Sequence, residues 1–290
     1  MKKCTYFIYI KNNAETISLV IDSLKKQKGG EFLREYIFVD DGSTDNSVEI
    51  IRKSVRNLPK VTIISLEESG LSICINKAVK IAQGDYIQFL HGSCTLVDNI
   101  TSEMMAFFKQ SNIGVVFGNI GSEEQNHSSR NNRMALLSNP IKSVLENKIK
   151  NIRNIGMFGS MVRSELVEFV GGADETVYSC NMSLALRCAL KCDFMYLNKI
   201  IVNKLGLEIS KDDSKFEKYN SLKAVYNIMQ VHKDLAFNLR SELYNLLQEF
   251  SSETKCRMYF YLKAILAKYL RLGSSRVILA DYSNQLEKLF

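Results

Sequence analysis

Phe38-Val39-Asp40-Asp41-Gly42-Ser43-Thr44-Asp45-Asn46-Ser47 decides how this chain is read. Residues 35–39 read as a strand, and 40–45 is a turn rich in side chains that cap helices. A helix is expected over about 46–56. Taken alone, the stretch is a βα turn with capping Asp and Ser residues.

The same alternation extends in both directions. Strands are expected at 5–10, 61–65, 85–90 and 113–117, and helices at 16–27 and 72–82. In the first helix Ile17, Val20, Ile21 and Leu24 have the spacing of one packed face, and Lys28-Gly29-Gly30 ends it. Such βαβ units build a mostly parallel, Rossmann-like sheet flanked by helices, an α/β fold. The polar stretch 121–133 reads as a loop that is either mobile surface or a cover for a ligand. From 207 the pattern is helical only, which divides the chain into regions 1–206 and 207–290.

Within that tail, 258–272 drawn as a helix sets Met258, Leu262, Ile265, Leu266 and Tyr269 on one half and Lys263, Lys268 and Arg271 on the other. Three uses fit a basic amphipathic helix: packing on the body of the protein, contact with a membrane surface, or contact with a partner, including a second copy.

With 290 residues, 46% of them hydrophobic, the chain can bury a large core, and disorder is excluded as its general state. No run approaches the roughly 18 apolar residues of a membrane-spanning helix. The apolar run 6–10 is stopped by Lys11-Asn12-Asn13, too early for a secretory segment. Seven scattered cysteines without a C-x-x-C pair are the pattern of reduced thiols in a cytosol. Cys188 and Cys192 lie one helical turn apart, but no histidine is near them in sequence, so they read as core filling. The expected location is therefore cytoplasmic, either soluble or peripheral on the inner face of the membrane. The net charge of +7 suits phosphate-bearing ligands or an anionic surface, and no nucleic-acid recognition motif accompanies it.

Four segments carry a more specific signal. They are Phe7-Ile8-Tyr9-Ile10-Lys11-Asn12-Asn13, the 38–47 stretch, Gly70-Leu71-Ser72-Ile73-Cys74-Ile75-Asn76-Lys77-Ala78 continuing through 82–90, and Phe169-Val170-Gly171-Gly172-Ala173-Asp174-Glu175 with the following 179–187. In order and spacing they resemble the bacterial family 2 glycosyltransferases, which have the glycosyltransferase A fold. The resemblance implies that Lys11, Asn12, Asn13, Asp40, Asp41, Ser43 and Asn76 lie around a nucleotide-sugar donor, with uridine as the favoured base. The chemistry is reasonable: a carboxylate at the carboxyl end of a parallel strand can accept from the N–H of uracil.

The departures from the family pattern are equally specific. Ile10 stands where Pro is usual, Asn12 where Tyr is usual, and Ile75 where Arg is usual. The Asp-x-Asp that holds Mn²⁺ or Mg²⁺ in relatives is replaced by His91-Gly92-Ser93-Cys94. A hard cation wants anionic oxygen, so His91 and Ser93 form a degenerate site and a tightly held metal is disfavoured. The Glu-Asp of the acceptor side is Cys180-Asn181 here, and a carboxamide at Asn181 cannot act as the general base. Asp174 and Glu175 match the family and are the nearby carboxylates able to take that role.

Without a metal, the charge that builds on a departing diphosphate needs another cation, for which Lys11, Arg130 and Arg133 are the candidates. Two readings stay open. One is a metal-independent transferase moving a sugar from a UDP-sugar to a hydroxyl of a bacterial surface glycan, lipopolysaccharide or capsule. The other is a catalytically inactive relative acting as partner or scaffold of an active transferase. A nucleotidyltransferase is set aside, because no Gly-rich phosphate loop follows the first strand.

Overall fold

The computed structural model describes residues 1–122, 134–145, 157–177, 181–206, 211–250, 260, 263–264 and 275–289, of which 122, 145, 181–182, 211–218, 236–237, 240, 242, 246, 249–250, 275–276 and 285–289 are described by their backbone alone. Arg130 and Arg133, Cys180 and most of the 258–272 segment lie outside the described residues.

The first half is the expected alternation: β1 (Lys3–Ile10), α1 (Ile17–Lys25), β2 (Leu33–Asp41), α2 (Ser47–Ser54), β3 (Val61–Leu66), α3 (Leu71–Ile81) and β4 (Tyr86–His91). Then come β5 (Cys94–Leu96), α4 (Ile100–Phe107), β6 (Ile113–Ser122), β7 (Ala135–Leu137), α5 (Ile141–Leu145), β8 (Met161–Arg163), α6 (Ser164–Phe169), α7 (Asn181–Ala189) and β9 (Asp193–Lys204). Helices α8 (Lys211–Val231), α9 (Lys233–Asn238), α10 (Arg240–Phe250) and α11 (Ser275–Leu289) complete the described chain.

Among the described residues, nine strands form one sheet in the order β3-β2-β1-β4-β8-β6-β9-β5, with β7 on β9. β3, β2, β1 and β4 are mutually parallel, β8 is antiparallel to both β4 and β6, and β6 runs parallel to β9. Strand β1 is buried along nearly its whole length because both faces of the sheet are covered. Side chains alternate between the two faces. Phe7, Tyr9, Ile37, Val39 and Phe89 enter one core, together with α3, α7 and residues of the C-terminal helices such as Leu222, Leu243 and Tyr282. Tyr6, Ile8, Ile10, Phe38 and Leu90 enter the other, under α1 and Met104 of α4.

Two expectations change. The acidic pair does not belong to the turn: β2 continues through Asp40 and Asp41, which stand in register with Ser65 and Leu66 of β3. β6 does not stop at 117 but runs to Ser122, alongside β9 with register shifts. Backbone pairing inside a sheet outweighs the turn preference of Asp.

From β1 the chain steps outward to β2 and β3, then returns to place β4 on the other side of β1. This reversal opens a crevice at the carboxyl ends of β1, β2 and β4, the place where open α/β sheets bind ligands. The segments that carry the candidate residues 11–13, 40–43 and 91–93 all leave the sheet at that edge.

Candidate functional site

The loops after β1 and β2 are stitched into one rim. Asn12 adopts a left-handed backbone, with φ of 52°. Its Oδ1 accepts the Thr44 N–H at 2.8 Å, and its own N–H donates to Ser43 Oγ at 2.9 Å. The Asn13 N–H donates to Ser47 Oγ at 2.8 Å, and Asn13 Oδ1 accepts the Lys11 N–H at 2.9 Å. Asp45 accepts the Ala14 N–H at 2.9 Å. Burial works to raise the Asp45 carboxyl pKa, but hydrogen bonds from Ser47 and Ala14 outweigh it and hold it below the usual range. Asn12, Asn13 and Ser43 therefore build the rim, and their polar side-chain atoms are largely spent on doing so.

The two acids at the end of β2 have different work. Asp41 is fully buried and accepts the Ser69 N–H at 2.6 Å, the Gly70 N–H at 3.1 Å and the Tyr9 hydroxyl at 2.9 Å. Gly70 is the N-cap of α3, so Asp41 ties the start of that helix to β1 and β2. Asp40 is 4% exposed and accepts only the Ser43 N–H, at 3.2 Å, in the described hydrogen bonding, so its second oxygen has no described protein donor. Of the pair, Asp40 is the one suited to a ligand. Lys11 pairs with Glu68 at 2.5 Å, so its charge at this rim is already met by a carboxylate.

At the end of β4, His91 Nδ1 accepts the Ser93 N–H at 3.1 Å and lies 2.8 Å from Ser93 Oγ. Accepting from a backbone N–H fixes the proton on Nε2. The ring packs beside Tyr9 and edge-on to Phe158, with centroids at 5.5 and 5.3 Å. Burial, and then the nearby charge of Lys204, push the imidazole pKa down to about 4, so it is neutral at physiological pH. Its Nδ1 lone pair is taken by Ser93 and its Nε2 carries hydrogen. A divalent cation would have to break the Ser93 contacts to gain one neutral ligand, and beside it Cys94 is a buried thiol whose pKa is raised to about 11. No group of three His, Cys, Asp or Glu side chains able to hold a metal occurs among the described residues. The turn does not fit the divalent cation that the family pattern implies.

On the opposite side, Asn76 of α3 grips the 171–175 loop. Its Oδ1 accepts the Ala173 N–H at 2.8 Å, and its Nδ2 donates to the Ala173 carbonyl at 3.0 Å and to Glu175 Oε1 at 2.9 Å. Gly172, with φ of 71°, lies so close that a Cβ there would meet Asn76 Oδ1 at 2.4 Å. Asn76 is thus a clamp between α3 and this loop, and Ile75 beside it is fully buried in the core. Asp174 accepts from Thr176 N–H and Oγ1 at 3.0 and 2.7 Å and from Asn227 Nδ2 at 2.9 Å, with Arg187 at 3.5 Å. Burial raises its carboxyl pKa, yet the Thr176 and Asn227 bonds prevail and keep it low. Its carboxylate is thus engaged on several sides, which makes it the less free acceptor of the two carboxylates of this loop. Glu175 is exposed and held through one described bond. Asn181 opens α7, and its side chain lies outside what is described.

Lys204 was not among the sequence candidates. It ends β9 directly opposite Cys94 of β5, and the Leu205 N–H donates to the Ser93 carbonyl at 2.8 Å. The sequence separation of more than a hundred residues hides this proximity.

The fold and crevice define a glycosyltransferase A protein, and comparison with known proteins gives the family. Residues 5–171 match Glycosyl transferase family 2, and the chain belongs to that family. It is similar to the poly(ribitol-phosphate) beta-glucosyltransferase of Bacillus spizizenii, 25% identical over 204 residues, which cover 67% of this chain and 32% of the relative. It is also similar to an uncharacterized glycosyltransferase, YibD, of Escherichia coli K12, 30% identical over 81 residues, 28% of this chain and 24% of the relative. The matched regions thus span a quarter to a third of these relatives' length. Among solved structures, S. aureus TarS 1-349 superposes with a TM-score of 0.59 at 15% identity, covering 99% of this chain and 90% of that one. The Pyrobaculum calidifontis mannosyltransferase PcManGT, solved with GDP-Man and Mn²⁺, gives 0.61 at 13% identity, with 99% and 85% covered.

Proposed function

We propose that this protein transfers a sugar from a nucleoside diphosphate sugar, with UDP as the nucleotide, to a hydroxyl of a bacterial surface glycan, and does so without a tightly bound metal. The observation that carries the reading is the intact donor rim. Asp40, at the carboxyl end of β2, keeps one carboxylate oxygen without a described protein donor, beside loops fixed by Asn12, Asn13 and Ser43. TarS was also solved with UDP-GlcNAc, which supports a nucleotide-sugar donor, and the similarity to a poly(ribitol-phosphate) beta-glucosyltransferase supports a polymer as acceptor. Lipopolysaccharide and capsule are the candidate surface glycans.

In this reading Glu175 takes the proton of the acceptor hydroxyl as its oxygen attacks the anomeric carbon. Glu175→Gln should lower transfer by about a hundredfold or more while leaving UDP affinity unchanged. Asn181→Asp, which restores the family's base, should recover activity in the Glu175→Gln background. Transfer and donor hydrolysis, assayed with UDP-sugars in chelator and in Mn²⁺, decide the matter. Equal rates in the two conditions support a metal-free enzyme.

One observation favours a second reading, an inactive relative that partners an active transferase: the acceptor side lacks the usual carboxylate at Asn181, and Asp174 is committed to its loop. UDP binding without turnover in any variant except Asn181→Asp would establish that reading.

A further inference from the structure

We infer that Lys204 is the cation that meets the donor diphosphate in this protein, standing in for a divalent metal at the turn after β4. The inference rests on the donor-site reading above and names the group that completes it.

The placement comes from the sheet. β9 is flanked by β6 and β5, and Lys204 pairs with Ser122 on one side and Cys94 on the other. Opposite residues in an antiparallel pair project from the same face. The Leu205 N–H to Ser93 carbonyl bond of 2.8 Å fastens the end of β9 to the 91–94 turn itself. The family carries its metal-binding acids at this turn, whereas here the turn contributes an imidazole, a hydroxyl and a thiol.

Two other cations of the described residues that stand among the candidate loops are engaged. Lys11 pairs with Glu68, and Arg187 with Asp174. No carboxylate of the described residues pairs with Lys204, although its side chain is half-buried. A half-buried cation with no counter-charge is costly unless an anionic ligand meets it. Among the described residues, the turn therefore has the positive charge of Lys204 with no carboxylate paired to it, the reverse of a metal site and the condition a diphosphate requires.

In the transfer step, the acceptor oxygen bonds to the anomeric carbon as the bond from that carbon to the phosphate oxygen breaks. The electron pair leaves with the diphosphate, and the hydroxyl proton passes to the base. Lys204 keeps its own proton throughout and offsets the charge growing on the leaving group.

The test is calorimetric titration of the full chain, in chelator, with UDP and separately with uridine, for the wild type, Lys204→Met and Lys204→Arg. Lys204→Met should weaken UDP binding by about tenfold or more with uridine binding unchanged, while Lys204→Arg stays within about threefold of wild type. Should Lys204→Met not fold, as judged by its thermal transition, Lys204→Gln replaces it. UDP binding by the wild type that is unaffected by loss of the ammonium overturns the inference and leaves the donor reading standing. UDP binding that appears only with Mn²⁺ overturns it as well. A wild type that binds neither uridine nor UDP removes the donor reading and this inference with it.

Discussion

Asp40 and Asp41 are adjacent and chemically identical, yet their surroundings separate them. Asp41 is the fully buried acceptor of two helix-starting N–H groups and a tyrosine hydroxyl. Asp41→Ala leaves these donors unsatisfied and should destabilise the fold by about 3 kcal/mol, read by urea denaturation. Asp40→Asn should leave stability nearly unchanged and weaken UDP binding instead, which a titration of the same preparation would reveal. His91 supplies the pH dependence. Its folded pKa, about 4, lies below its ordinary value of 6.5, so the unfolded chain binds the extra proton. The contribution is absent as a penalty above about pH 6.5 and grows as the pH falls toward 4. Wild type should lose roughly 1–2 kcal/mol more than His91→Gln between neutral pH and about pH 4.5, measured by chemical denaturation across that range. Equal slopes for the two proteins would refute the neutral buried histidine.

At the scale of elements, the close approach of turns to strands is set by glycines that have no room for a side chain. A Cβ on Gly84 would stand 2.6 Å from the Thr5 backbone nitrogen and 2.8 Å from the Tyr86 carbonyl oxygen. Those atoms belong to β1 and β4 or their immediate ends and cannot retreat without breaking sheet pairing. Gly84→Ala is therefore expected to cost about 2–4 kcal/mol, visible as a lowered thermal midpoint. The strand-helix alternation of β1 through β4 was legible in the sequence because each element is long enough to show its period. β5, β7 and β8, of three residues each, carry no periodicity, and their strand character comes from partners that lie far away in sequence. The extension of β2 through Asp40 and Asp41 was hidden for a related reason: local preference favours a turn there, and only β3 alongside selects the strand.

Across the whole molecule, the C-terminal helices are part of the core on one face of the sheet. Leu222, Val225, Leu243 and Tyr282 are buried with Leu186 and Cys188 of α7, and the Tyr282 hydroxyl donates to the Leu243 carbonyl at 3.0 Å. Removing everything after 206 would expose that apolar face, and the shortened chain is expected to aggregate or lose its cooperative unfolding transition. A monomeric fragment with a sharp transition would instead show that 1–206 folds by itself. The sequence by itself determined the α/β class, the order of the first βαβ units, the family resemblance and the loss of the usual metal and base residues, because these are properties of local pattern and of residue identity. Tertiary structure alone decided that Asp41 is tied to the start of α3 while Asp40 keeps one oxygen without a described donor, that Asp174 is held by Thr176 and Asn227, and that Lys204 stands beside His91. Each of those depends on which distant strands and loops meet at one edge of the sheet, and contacts of that kind leave no mark in the spacing along the chain.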